Sequence, residues 1–192
     1  DSSFDVFVYT FHPEQARQAE TLFTDRLHTI LLQTNPDSLE LAVCYRRLGV
    51  AQQILSKRAE AKSNFGASLQ LLYNMSPAPE AELAKSLHNY GITLARTETY
   101  DSAFWCLEKS VEINRRLYGP QDERVAFGYC FLAGYSINVA RFTQGLEYAK
   151  TAVSILQHCD RNNHPYMVRA LQVRGILYQE TDNFEEALRD FS

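Results

Sequence analysis

The residues with the most reactive chemistry are four cysteines, five histidines and a few adjacent carboxylates. Cys44, Cys106, Cys130 and Cys159 are irregularly separated and form no C-x-x-C pair, so buried, reduced thiols are expected rather than zinc binding or redox chemistry. His158-Cys159 with His164 comes nearest to a ligand cluster, but it lacks a second closely spaced pair, and no metal site is expected. Glu185-Glu186 and Asp122-Glu123 are sequence neighbours, which diverge on a helix, so neither pair supplies a general acid and base. The patterns G-x-x-x-x-G-K-[ST], G-x-S-x-G and H-E-x-x-H do not occur. The chemistry therefore predicts a protein that is not an enzyme and needs no cofactor.

The elements that hold these residues must be built from 192 residues, 45% hydrophobic and 22% charged, the composition of one globular domain or one compact array. A net charge of −4 gives the whole chain no field that would hold it on nucleic acid or an anionic membrane. The longest apolar stretches, such as residues 127–135, are interrupted far short of the roughly 18 residues that span a bilayer. Asn74-Met75-Ser76 is formally a glycosylation acceptor, but Pro77 follows it, and Asp1-Ser2-Ser3-Phe4-Asp5 has no basic lead, so a cytoplasmic location is expected.

Self-similarity organises the chain. Small residues recur every 42 positions at Gly49, Gly91, Ala133 and Gly175, and again, twelve residues further on, at Ala61, Ala103, Gly145 and Ala187. Four before the first anchor stand Tyr45, Leu87, Tyr129 and Leu171, and prolines fall at the joints, at Pro36, Pro77, Pro79, Pro120 and Pro165. Between joints, Leu83, Leu87, Tyr90, Leu94 and then Ala103, Leu107, Val111 keep helical spacing, so each unit reads as two helices. A small residue where the paired helices cross lets their backbones approach. Short polar turns at 56–58, 97–100, 139–141 and 181–183 separate the pair, with Asp101, Thr143 and Asn183 placed to cap the second helices. Trp105 and the tyrosines are expected in the helix-pair cores.

The run Leu171, Gly175, Tyr178, Ala187, Phe191 resembles the large, small, aromatic, small, aromatic pattern of the tetratricopeptide repeat. The 42-residue period, the joint from Arg116 through Leu117-Tyr118-Gly119-Pro120 to Val125-Ala126, His164-Pro165 and Leu87-His88-Asn89 are similar to the kinesin-light-chain-like branch. The resemblance implies an all-α solenoid of antiparallel helix pairs, wound as a right-handed superhelix. Its units would be 35–77, 78–119, 120–161 and a truncated 162–192. Residues 1–34 would form a partial or degenerate repeat with a helical face of Ala16, Ala19, Phe23, Leu27, Ile30 and Leu31, preceded by a weak element over 5–11.

The resemblance further implies a protein-protein interaction module that binds a peptide or helix of a partner in a concave groove lined by first helices. Its contact positions would be Arg46, Arg47 and Gln53, then Lys85, His88, Asn89 and Arg96, then Phe127, Phe131 and Asn138, then Arg169, Gln172 and Gln179. Arg46, Arg47, Lys85, Arg96 and Arg169 form either a cationic stripe for an acidic partner or ordinary solvated charges paired with glutamates. Phe127 and Phe131 either line an apolar pocket or pack on the next unit. The alternative role is a sensor or autoinhibitory module of a larger signalling protein, or self-association through an uncapped helix ending at Ser192.

Overall fold

The computed structural model describes residues 12–159 and 165–191. The expectations for residues 5–11, for His164 in the histidine–cysteine cluster and for the helix end at Ser192 lie outside these residues. The regular structure of the described residues is all helical, in the order α1 (Pro13–Leu31), α2 (Ser38–Ile54), α3 (Arg58–Tyr73), α4 (Glu80–Ala95), α5 (Tyr100–Tyr118), α6 (Glu123–Asn138), α7 (Phe142–His158), α8 (Pro165–Glu180) and α9 (Phe184–Phe191). The architecture is an all-α helical-repeat solenoid. Two compact units divide inside α5, one running to Cys106 and the other starting at Leu107. In the first, α2 packs on α1, α3 and α4, and α3 packs on α4. In the second, α8 packs on α6, α7 and α9, and α6 packs on α7.

All eight small anchors are buried. Their reason is steric. A Cβ at Gly49 would stand 2.9 Å from the Phe65 ring, and one at Gly145 would stand 2.7 Å from the Ser136 Cβ. Each glycine thus admits the side chain of the helix it crosses, which a larger residue would hold away. Val50, Ala61 and Phe65 form one buried cluster there, with Ile54 and Tyr90 packed against it. Ala133, Leu146, Ala149 and Leu177 form the corresponding cluster of the second unit.

The turns inside the pairs repeat with the same period, although their sequences do not. Ser56, Glu98, Ala140 and Asp182 all have left-handed backbones, at φ 61°, 61°, 54° and 60°. Each turn closes with two crossing hydrogen bonds: Lys57 N–H to the Gln52 carbonyl (2.9 Å) with Ser56 N–H to Gln53 (3.2 Å), and likewise Thr99 to Leu94 (3.0 Å) with Glu98 to Ala95 (3.1 Å). Arg141 to Ser136 (2.9 Å) with Ala140 to Ile137 (3.2 Å), and Asn183 to Tyr178 (2.8 Å) with Asp182 to Gln179 (3.2 Å), complete the set. This is the Schellman arrangement, which satisfies the last carbonyls of the first helix and favours glycine at the left-handed position. Alanine there bears the steric cost without a side-chain hydrogen bond to offset it. Ala140→Gly is therefore expected to stabilise the chain by about 1 kcal/mol, seen as a raised urea midpoint, because the cost of the left-handed backbone disappears.

Three expectations need correction. Asp101 and Thr143 sit inside the first turns of α5 and α7 rather than capping them, and the Asn183 side-chain amide donates back to the Thr181 carbonyl at 2.9 Å. At Asp101 and Thr143 the Schellman turn brings the chain into the second helix two residues earlier than the polar pattern suggests. Side-chain caps occur instead on first helices: Asp37 Oδ1 accepts from Leu39 N–H at 2.8 Å, and Asp122 Oδ1 accepts from Arg124 N–H at 2.9 Å. In α1, Ala16, Ala19 and Ile30 are buried and Phe23 and Leu27 pack beside the Ile30, Leu41, Cys44 cluster, whereas Leu31 is exposed. Trp105 is 51% exposed, because it lines an open hollow with Lys62, Tyr90 and Leu94 instead of filling the helix-pair core.

Candidate functional site

In the first unit α2 and α4 lie side by side, and the charges between them are organised around one carboxylate. Arg46 is only 1% exposed, and its Nε and Nη2 donate to Glu82 Oε2 at 3.2 and 3.1 Å. Lys85 Nζ donates to the other oxygen of Glu82 at 2.8 Å. One glutamate thus serves two cations. The Arg47 guanidinium stands 5.8 Å from the centre of the Phe23 ring, and Arg96 is exposed at the end of α4. Gln53 is buried and donates to Thr93 Oγ1 at 3.1 Å, while the Thr93 hydroxyl donates to the Asn89 carbonyl at 3.0 Å. Gln53 Oε1 is a buried acceptor without a hydrogen bond among the described residues, and Asn89 is buried beside it in the chain of contacts.

Arg46 and Gln53 are therefore not open wall residues. They occupy the stripe of α2 that the next first helix covers, so their polar ends are used between helices. Gln172 and Gln179 fall at the equivalent places on α8, one turn from Val168 and Ile176, and all four are exposed. The difference is one of neighbours: α4 lies over α2, and no described first helix follows α8.

His88 is half-buried, and burial pushes its imidazole down from 6.5 to about 4. The unfolded chain then takes up a proton near pH 6.5 that the folded chain refuses until about pH 4, so stability is complete above that window and falls as the pH drops through it. His88→Gln is expected to flatten the decline, by on the order of 2 kcal/mol after allowance for partial exposure, in urea titrations repeated across the window.

In the second unit α6 and α8 meet through aromatic rings. Phe127 stacks on Tyr166 with centroids 3.8 Å apart and an interplanar angle of 23°. Phe131, 1% exposed, lies beneath the Arg169 guanidinium at 4.7 Å and beside the Tyr135 ring at 6.1 Å. The phenylalanine pair thus packs against Tyr166 and Arg169 of α8. Asn138 remains exposed at the end of α6. Burial pushes the Cys130 thiol up to about 12 and the Cys106 thiol up to about 11, so both remain protonated and unreactive near neutral pH. Cys44 is buried, Cys159 is half-buried, and all four thiols are free.

Sequence reasoning missed Glu82, Thr93 and Tyr166, the partners that decide how Arg46, Gln53 and Phe127 are used. The repeat offered a signal: adjacent first helices bring residues a little less than one period apart into contact, as with Arg46 and Glu82.

Residues 83–123 match the family model of the tetratricopeptide repeat. That segment is a tetratricopeptide repeat. Among solved structures the chain is similar to BtubC (BKLC) from P. vanneervenii, at 18% identity and a TM-score of 0.81 over 92% of this chain and 70% of that one. It is also similar to the nearly identical TPR-like repeats of a kinesin-light-chain-like protein from Podosopora anserina, at 17% identity and a TM-score of 0.76 over 93% of this chain and 84% of that one. MamA from Desulfovibrio magneticus RS-1 is 18% identical with a TM-score of 0.61, over 90% of this chain and 91% of that one. At these identities the likeness is one of fold. No curated protein matches the chain in sequence. Tetratricopeptide repeats are generally protein-interaction modules. No helix of the described residues is long and apolar enough to cross a membrane.

Proposed function

We propose that the tetratricopeptide-repeat chain docks an acidic peptide or helix of a partner protein on its first helices, with units at 35–77, 78–119, 120–161 and 162–192 following a degenerate repeat over 1–34. The observation that carries this reading is the grouping of four cations on and just beyond α2 and α4. Arg46, Arg47, Lys85 and Arg96 stand on this wall, and Glu82 holds both Arg46 and Lys85. An incoming carboxylate would meet guanidinium and ammonium groups held in place by neighbouring contacts, which lowers the ordering cost of binding. Arg47, Lys85, His88 and Arg96 are the contacts proposed for the first unit, with Asn138, Arg169, Gln172 and Gln179 for the second, and the buried Asn89 lies behind them. Arg46, Gln53, Phe127 and Phe131 support that surface from beneath.

The test is a peptide array of Asp- and Glu-rich sequences probed with the full chain. Arg47→Glu with Lys85→Glu is expected to weaken retained spots by about tenfold or more, with a steep loss on added salt. Arg46 is left untouched in this experiment because it is buried. Spots that survive the double reversal unchanged would remove the acidic-partner reading.

The exposed Val168 and Ile176 of α8 and Leu188 of α9 support a second reading, self-association of copies through this apolar surface. Sedimentation across a concentration range, repeated on Val168→Lys with Ile176→Lys, is expected to show dimers only for the unaltered chain.

A further inference from the structure

The second unit carries a cleft on the side of α6 turned away from α8. It lies between residues 107–118 of α5 and the facing side of α7, with Tyr129 and Leu132 of α6 at its base. Phe127 and Phe131, which meet α8, project from the opposite side of α6, so this cleft shares no lining residue with the surface proposed above. Two adjoining hollows make it up, of about 470 Å³ and 390 Å³, and they share Arg115, Pro120 and Tyr129. Their combined size is that of a small-ligand or side-chain site.

The walls combine apolar surface with one uncommitted charge. Val111, Leu132 and Ile155 supply aliphatic lining, and the Tyr129 and Tyr148 rings lie with centroids 5.7 Å apart. Gly119, in a left-handed backbone at φ 91°, ends α5 with its N–H on the Arg115 carbonyl at 3.1 Å and turns Pro120 into the cleft. Cys159 Sγ, 3.4 Å from the Gln121 carbonyl, ties the end of α7 to the same joint.

The charged groups around the cleft are mostly spoken for. Glu108 accepts from the Tyr148 hydroxyl at 2.9 Å, Glu112 accepts from Lys109 at 2.7 Å, and Lys150 donates to Glu147 at 3.0 Å. Arg116 is also engaged. Arg115 is exposed and lies where the two hollows join, and its side chain has no hydrogen-bond or ion-pair partner among the described residues.

The geometry points to a second peptide site on this protein: the α5–α7 cleft takes a partner segment in which a carboxylate side chain neighbours a leucine-sized apolar one. The carboxylate pairs with the Arg115 fork, backed by Lys150 and Arg116, and the apolar side chain enters between Tyr129, Leu132 and Val111. Charge complementarity selects this occupant. The two cleft glutamates already hold hydrogen bonds, whereas an exposed guanidinium beside apolar lining is matched by an anion that carries an apolar neighbour.

The probe is the capped tripeptide Ac-Glu-Leu-Glu-NH2, titrated into the methyl-labelled full chain and followed by NMR. Saturable shifts are expected at the methyls of Val111, Leu132 and Ile155, with Arg115→Glu weakening the apparent affinity by about tenfold or more. Arg115→Gln should give an intermediate loss, and Ac-Gln-Leu-Gln-NH2 should bind as weakly as the acidic probe does to Arg115→Glu. Arg47→Glu with Lys85→Glu should leave these shifts unchanged, so failure of this site and failure of the first-helix surface are told apart. Because Arg115 is exposed, its variants should keep the parent melting temperature. Absence of shifts at the three methyls, or shifts that survive Arg115→Glu with equal affinity, would overturn the assignment.

Discussion

Phe65→Ala is expected to lower the unfolding free energy of the chain by about 3–5 kcal/mol, among the largest effects of any single substitution in it. Phe65 is fully buried, and its ring fills the space that the absent side chain of Gly49 leaves where α2 crosses α3. Val50, Ala61, Ile54 and Tyr90 close around it. Truncation removes the transfer free energy of the ring and leaves a cavity that two rigid helices cannot close. The glycine makes the prediction specific. A Cβ on Gly49 would lie within 2.9 to 3.0 Å of three ring atoms, so Gly49→Ala alone should cost about 1–3 kcal/mol by overpacking. Combined with Phe65→Ala, the same methyl enters vacated space, and the double variant should be more stable than Phe65→Ala alone. Urea titrations followed by circular dichroism check this; strictly additive losses would show that the ring and the glycine do not share one site.

Glu82→Ala is expected to cost about 3 kcal/mol, at the lower end for a broken buried pair because Glu82 keeps some contact with solvent. The loss arises from Arg46 rather than from Glu82 itself. With 1% of its surface exposed, Arg46 cannot exchange the lost carboxylate for water, so its charge is left under-compensated between α2 and α4. Replacing both partners, Arg46→Met with Glu82→Leu, should be less damaging than Glu82→Ala, since no charge then remains to be desolvated. The same urea titrations decide it, and a double variant as unstable as the sum of its singles would contradict the account. Lys85, 33% exposed, should recover by turning to solvent.

Much of the fold was legible because the period is imposed by packing. A small residue is needed wherever two helices cross closely, and Gly49, Gly91, Ala133 and Gly175 declare those crossings in the sequence. The four left-handed turn residues were not legible, since Ser56, Glu98, Ala140 and Asp182 share no side-chain chemistry; what they share is the backbone path that the crossing enforces. Nor was the exposure of Trp105, because spacing along a helix tells which residues share a face but not which face meets a partner.

The interaction surface shows where that boundary lies. The sequence by itself determined that this chain is a helical repeat, where its helices cross and which positions recur on its first helices, since all three follow from residue size and periodicity. Only the tertiary structure decided how those positions are used. Arg46 and Gln172 occupy equivalent places in the repeat, yet the first is buried against Glu82 on α4 and the second is exposed on α8. The physical reason is that burial belongs to a pair of surfaces, and a periodic sequence describes only one of them.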